Sequence, residues 1–374
     1  MYSTVAPHGG QVLASSLACD TPLPPVRVDL RSDTVTKPTP AMRAAMASCE
    51  VGDDVFRDDP TILALEKEVA ALMGKEEGLL LPSGTMSNLC AVCTWLPERG
   101  SEFIIGHAAH IHIYEQGGTA TLGGCHPRVV RNLADGTMDL AEVNACFRGS
   151  DDHYASIKLI CIEQTHNKCG GIPISLEFTD AIGALAKEQG VALHIDGARV
   201  FNAAAALGVE PARLVAAADS VSVCLSKGLG APVGSVLVGP AAFIRSARRL
   251  RKALGGGMRQ AGVLAAAGLV AIREVRLLLP ADHANMARLA AGLATVPGVA
   301  LRGGLVPPTN ICFIDLAPQL DAVTLQSGLR ARGILANVAA GGMRVVTHHQ
   351  VSAEAVDDIV AAFHAICTPL MSCG

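Results

Sequence analysis

A chain of 374 residues, half of them hydrophobic and 17% charged, carries enough apolar side chains for one large core and a smaller companion, and it is too apolar to be a disordered tail. Its formal net charge of −4, without a long basic run, argues against a nucleic-acid partner; the locally basic stretch 245–252 reads as the solvated face of a helix. No window approaches eighteen apolar residues free of charge, Gly or Pro, so no membrane span is expected, and residues 1–25 hold no Lys or Arg with which to begin a leader sequence, which makes the cytoplasm the expected compartment.

Residues 1–26, rich in Ser, Pro and Ala, read as a flexible N-terminal arm. Pro38 and Pro40 precede a helix through Met42 and Met46. Pro60 begins a second over 61–73, where Ile62, Leu65, Val69 and Leu72 recur at helical spacing before Gly74. From Gly78 onward, short apolar runs at 79–81, 103–105, 157–162, 191–195 and 221–225 read as strands, with helical stretches at 140–147, 178–189 and 201–207 between them. That alternation implies βα units and a mostly parallel sheet. The run 233–238 follows too closely for a helical crossover, so it should be antiparallel. The long stretch 260–279 is expected to end at Pro280, where a large domain over 27–280 gives way to a small C-terminal α/β domain over 281–374. The small domain should have strands at 311–316, 334–338 and 344–347 and helices at 322–332 and 353–367.

Twelve cysteines are scattered through apolar runs in a chain too long to need disulfide staples, so reduced, buried thiols are expected. Cys90-Ala91-Val92-Cys93 has redox or metal spacing, yet no second pair follows at zinc-site distance and the four residues fall inside a helix. No metal site is expected.

The chemistry gathers at strand ends. Ser222-Val223-Cys224-Leu225-Ser226-Lys227-Gly228 delivers one lysine from an apolar strand into a loop of small residues, which suits an amine that condenses with an aldehyde. Thirty-one residues earlier, His194-Ile195-Asp196 ends another apolar run in an acid, at the strand edge where such sheets bind ligands. A carboxylate for a pyridine nitrogen and a lysine for an aldehyde together suit pyridoxal 5'-phosphate. Arg199, three residues after Asp196, should face the same pocket or form a structural salt bridge. Ser83-Gly84-Thr85, between a strand and a helix, reads either as a phosphate cradle or as a simple helix cap.

The chain resembles the low-specificity L-threonine aldolases, pyridoxal phosphate enzymes of fold type I, the aspartate-aminotransferase type. The resemblance rests on Asp29-Leu30-Arg31-Ser32-Asp33-Thr34-Val35-Thr36, Val51-Gly52-Asp53-Asp54-Val55, Pro82-Ser83-Gly84-Thr85-Met86, Thr165-His166-Asn167, His194-Ile195-Asp196-Gly197-Ala198-Arg199, Leu225-Ser226-Lys227-Gly228, Gly256-Gly257-Met258-Arg259-Gln260 and Met343-Arg344-Val345-Val346-Thr347-His348. It implies retro-aldol cleavage of L-threonine or L-allo-threonine, and of other β-hydroxy-α-amino acids, to glycine and an aldehyde. The alternative is a β-eliminating lyase or aminotransferase with the same cofactor. It further implies Lys227 as the cofactor lysine and Ser83, Gly84 and Thr85 at the phosphate, with Arg259 reaching that phosphate from a neighbouring subunit of a homotetramer, a dimer of dimers with sites at subunit interfaces. Arg199, Arg344 and Ser32 would hold the substrate carboxylate, with Arg199 also at the cofactor's ring oxygen. His110 would stack on the cofactor ring and His153 would lie near the substrate side chain; either of them, or an activated water, would serve as the base. Thr165 and Asn167 would line the cofactor, with capping as the close alternative. One departure stands out: Phe56-Arg57 replaces the Tyr-Gly usual after Asp-Asp-Val, which removes a phenol and adds a charge beside the site.

Overall fold

The computed structural model describes residues 24–149 and 151–372; all but the last three residues of the expected arm lie outside that range. Strand β1 (Val28–Asp29) comes first. It is followed by β2 (Glu77–Leu81), β3 (Glu102–Gly106), β4 (His126–Val130), β5 (Ile157–Glu163), β6 (Ala192–Gly197), β7 (Ser220–Cys224) and β8 (Ser235–Gly239), which form one seven-stranded sheet in the order β2-β8-β7-β6-β5-β3-β4. Strands β3 to β7 pair in parallel, and only β8 is reversed, pairing antiparallel with both β7 and β2. Ten residues separate β7 from β8, too few for a helical crossover, so reversal is the geometry left to that strand.

Both faces of the sheet are covered. Its central strands are buried along their whole length, which is why they read as continuous apolar runs rather than alternating ones. Ile104, Ile160, Leu193, Val221 and Val236 meet the helices Pro60–Leu72 and Gly262–Arg273 in the main core. Helix Ala241–Ala253 holds the basic stretch, and only part of that stretch is solvated. Arg245 and Arg249 are exposed, whereas Arg248 bonds Glu66 and Arg251 is buried against Asp54 and the Leu80 carbonyl. The inward charges are tolerated because carboxylates and a carbonyl receive them.

The second sheet holds β9 (Val299–Leu301), β10 (Ile311–Leu316), β12 (Asn337–Ala339) and β13 (Gly342–Val346) in the antiparallel order β12-β13-β10-β9, while β11 (Ile334–Leu335) pairs in parallel with β1. Val28 and Leu30 therefore bury in the C-terminal core with Met286, Phe363 and Val345. Strand β1 thus packs on the small unit although it lies within the expected large-domain range 27–280. Pro280 likewise starts an element instead of ending one: it occupies the first turn of helix Leu279–Leu293, where its missing N–H costs nothing. The last helix, Ala353–Ser372, is long and apolar enough by composition to cross a bilayer. Its buried residues Val356, Ile359, Phe363 and Cys367 recur at helical spacing and face the small core, and Asp357 and Asp358 face out.

Candidate active site

The carboxyl ends of β5, β6 and β7 converge on one crevice, and each contributes polar groups there. Asp196, near the end of β6 and 3% exposed, accepts hydrogen bonds from the Ala198 amide at 3.1 Å and from Asn88 Nδ2 at 3.0 Å. Lys227 follows β7 in a turn closed by its own carbonyl, which accepts from Gly230 N at 2.8 Å and Thr36 Oγ1 at 2.9 Å. Among the described residues no carboxylate pairs with its amine. Glu163 ends β5 and ties two loops together: Oε2 accepts from His110 N at 2.7 Å and Oε1 from Asn167 N at 3.0 Å.

His110 is held from both sides. Its Nδ1 lies 2.9 Å from Glu115 Oε1, which also accepts from Asn88 Nδ2 at 2.9 Å, so one amide group bridges Glu115 and Asp196. Asn88 is itself fixed by His194 Nε2 at 3.2 Å on its Oδ1, and His194 Nδ1 lies 2.9 Å from Ser220 Oγ. Burial pushes His194 down to about 4, so it is neutral. Burial also opposes a charge on His110, but the Glu115 hydrogen bond and the Asp196 charge outweigh it and raise the pKa. Glu115 is raised as well, by burial, so the pair holds a shared proton tightly. Neither Asn88 nor Glu115 was legible as a site residue in the sequence; the available signal was Glu115 five residues after His110, on the other side of a short helix, His110–Ile113.

The two arginines differ. Arg199 is buried in a bidentate pair with Asp33, Nε to Oδ2 at 2.7 Å and Nη2 to Oδ1 at 2.6 Å. Burial works against ionisation of Asp33, yet Arg199 holds it well below the usual carboxylate range. Arg199 is thus held by Asp33, the salt bridge that the sequence offered beside its expected contact with the substrate carboxylate and the cofactor. Arg344, on β13, pairs with no acid among the described residues. Its Nη2 donates to Asn167 Oδ1 at 2.8 Å and its Nη1 to the Arg31 carbonyl at 3.3 Å, and its buried Nε has no partner. Burial and the neighbouring Arg199 push it down to about 10, the mark of a cation short of an anion. Asn167 is accordingly a support for Arg344. Ser32 caps the turn Asp33–Val35 by accepting from Thr34 N at 3.2 Å.

At the other end of the crevice, Ser83 caps helix Gly84–Trp95 by accepting from Met86 N at 3.1 Å, the capping alternative of its motif. That leaves the first amides of the helix open to an anion. A β-carbon at Gly84 would stand 2.7 Å from Cys224 Sγ, so only glycine fits there. Thr85 is exposed at the helix start, and Thr165 Oγ1 is buried without a partner.

Two expected residues are not brought into this crevice by their own chain. His153 lies before β5, at the amino edge of the sheet. Its side chain is 86% exposed and bonded to Asp151 at 2.6 Å, and the seven residues of β5, about 20 Å, separate it from the carboxyl edge. Arg259 is also exposed, paired with Asp53 at 3.1 Å. The loop that departs from the family pattern puts Phe56 77% into solvent and holds Arg57 at φ 61°, the left-handed conformation that glycine adopts freely.

A family model described as "Beta-eliminating lyase" matches residues 29–319. Over 344 residues the chain is 51% identical to the "Probable low-specificity L-threonine aldolase 2" of Arabidopsis thaliana, an alignment covering 91% of this chain and 97% of that protein. The chain belongs to the low-specificity L-threonine aldolase family. A second member, the "Low specificity L-threonine aldolase" of Escherichia coli strain K12, is 43% identical over 338 residues, 90% of this chain and 98% of its own. The solved threonine aldolase of Leishmania major superposes with a TM-score of 0.77 at 20% identity, covering 91% of this chain and 99% of that one, which shows the shared fold. The fold is that of the fold type I pyridoxal phosphate enzymes. The residues present fit that cofactor: Asp196 is an acceptor buried at the strand edge, Lys227 has an unpaired amine, and open amides at a helix start can receive a phosphate.

Proposed function

We infer that the protein cleaves L-threonine, and L-allo-threonine with it, to glycine and acetaldehyde. The observation that carries this reading is Arg344, a half-buried guanidinium whose buried Nε has no partner and which pairs with no carboxylate among the described residues, in the same crevice as Lys227, Asp196 and the His110–Glu115 pair. Pyridoxal phosphate, when bound, supplies an electron sink for the carbanion left at Cα once the Cα–Cβ bond breaks. Lys227 would provide the amine that holds it, Asp196 would accept from its ring nitrogen, and the amides after Ser83 would receive its phosphate. Arg344 would take the substrate carboxylate on its planar fork, with Ser32 beside it, and so would fix the orientation of the bonds at Cα. His110 keeps Nδ1 on Glu115, which leaves Nε2 to receive the β-hydroxyl proton.

The name of the matched family model favours one rival, elimination, so the deciding experiment is product analysis. With threonine, aldol cleavage releases glycine and acetaldehyde in equal amounts; elimination begins by losing the Cα proton and releases 2-oxobutyrate and ammonia. A predominance of 2-oxobutyrate would reject the reading. Running the four threonine stereoisomers in the same assay tests the substrate range. The assembly is part of the proposal. The placement of His153 and Arg259 away from their own crevice supports a homotetramer in which neighbouring subunits present them. Mixed oligomers of Arg259→Ala and Lys227→Ala subunits should regain activity at hybrid sites, and verified hybrids without activity would reject the sharing.

A further inference from the structure

The Cys90-x-x-Cys93 spacing has no part in the site described above, and the fold gives Cys93 a different partner. Cys93 lies in the third turn of helix Gly84–Trp95, and Cys125 stands immediately before β4, the edge strand of the large sheet. The two sulfurs flank one point: a β-carbon at Gly123 would lie 2.4 Å from Cys93 Sγ and 3.2 Å from Cys125 Sγ. The guanidinium carbon of Arg99 lies 2.8 Å from the corresponding position at Gly124, whose φ of +68° lets the chain turn beneath it. Two glycines without side chains thus leave a thiol, a second thiol and a cation packed against one another, with Cys93 partly exposed and Cys125 buried behind it.

We propose that Cys93 and Cys125 form a peroxide-responsive dithiol, a modification site that closes reversibly to a disulfide and ties the end of helix Gly84–Trp95 to the edge strand β4. The electrostatics support the pairing. Contact with Cys93, with Arg99 beside it, draws the Cys125 thiol below its ordinary pKa against the opposing effect of burial, and Cys125 Sγ also lies 3.9 Å from the Leu96 carbonyl. The same contact raises Cys93. Cys90, Cys161, Cys169, Cys224, Cys312 and Cys367 are all pushed up by burial. Cys125 is the thiolate of the pair and Cys93 the resolving thiol.

The chemistry balances with hydrogen peroxide as oxidant. The Cys125 thiolate attacks one peroxide oxygen, an S–O bond forms as the O–O bond breaks, and the departing hydroxide takes up the proton that the Cys125 thiol had released and leaves as water. The Cys93 sulfur then attacks the Cys125 sulfur, the S–S bond forms, the S–O bond breaks, and a second water leaves with the Cys93 proton. Two thiols are oxidised and one peroxide is reduced. A dithiol reductant reverses the step by exchange.

The test uses the full chain with its cofactor bound, treated with hydrogen peroxide, alkylated, digested and mapped by mass spectrometry. The expected product is a cross-linked peptide joining Cys93 to Cys125 and lost on adding dithiothreitol, with a higher melting temperature in the oxidised protein. Arg99→Gln should slow linkage several-fold. Cys93→Ser should keep its basal glycine release while Cys125 becomes trapped by a sulfenic-acid reagent. Cys93 and Cys125 both remaining alkylatable while other thiols oxidise would overturn the proposal, as would linkage of Cys125 to Cys90 or to a second chain. Those readouts on the unaltered protein, with Arg99→Gln, decide the matter even if Cys93→Ser folds poorly.

Discussion

Asp282 is a carboxyl group that folding places at a disadvantage, and replacing it by Asn should stabilise the protein in a pH-dependent way. It sits in the first turn of helix Leu279–Leu293 and is 2% exposed, and its Oδ2 has no hydrogen-bond partner. Burial, with the Asp33 charge nearby, pushes its pKa up to about 7 from an ordinary 3.8. Below the ordinary value the group is protonated folded or unfolded, and the effect vanishes. Between the two values the folded state binds the extra proton, so stability falls as pH rises. Above about 7 the loss is complete, and a shift near 3 units corresponds to at most about 4 kcal/mol. Asp282→Asn keeps the shape and removes the ionisation. Urea midpoints of the cofactor-bound protein, at fixed protein concentration from pH 4.5 to 8.5, should show the variant more stable by about 2–4 kcal/mol at pH 8 and by no more than about 1 kcal/mol at pH 4.5. A loss of stability at pH 8, or a difference that does not change with pH, would refute the reasoning, because it would mean that the carboxylate is ionised and well partnered.

Removing the cation in Arg344→Ala should lower kcat/KM for threonine by about 3 kcal/mol, roughly a hundredfold, while borohydride still fixes the pyridoxyl group on Lys227; an unchanged kcat/KM would exclude Arg344 as the carboxylate ligand. His110 works as a base only when neutral, and its raised pKa places the acid limb of kcat/KM above the ordinary histidine value. Glu115→Gln removes the leading upward influence on that pKa and should move the limb to lower pH; a limb that stays in place would detach His110 from the proton transfer. Arg57→Gly relieves a left-handed residue and should stabilise the protein by about 1 kcal/mol in a denaturant titration, with an equal or lower midpoint as the contrary result.

The buried sheet was legible because its central strands are apolar from end to end. Strand β4 was not, since His126, Pro127, Arg128 and Val129 lie at an edge where only Val130 is buried, and neither periodicity nor an apolar run marks them. Strand 334–338 was read as one and is two, β11 and β12, because Leu335 turns to pair with β1 while Asn337 turns to β13. In the site, residues whose type and local setting announce a role were readable: a lysine in a loop of small residues, an acid ending an apolar run. Those that act by meeting a partner far along the chain were not. Asp33 stood inside a quoted motif, but its bond to Arg199 spans 166 positions, and Asn88 reaches Asp196 across 108. Sequence spacing carries no trace of such pairs.

The contrast between the two arginines bears on how the site separates binding from support. Arg199 is already neutralised by Asp33, whose depressed pKa keeps it ionised throughout the ordinary range, so a substrate carboxylate would have to compete with a buried bidentate partner. Arg344 has no such competitor; Asn167 and the Arg31 carbonyl orient it without cancelling its charge. An anion arriving there relieves an unfavourable half-buried cation as well as forming hydrogen bonds, and that gain is largest when Nε and Nη2 are both engaged. Glu163 then couples the two halves of the reaction geometry, since the same carboxylate fixes the backbone of His110 and that of Asn167, the residue that orients Arg344. The base and the carboxylate ligand are referenced to one side chain at the end of β5, so the distance between them is set by the sheet and not by either loop.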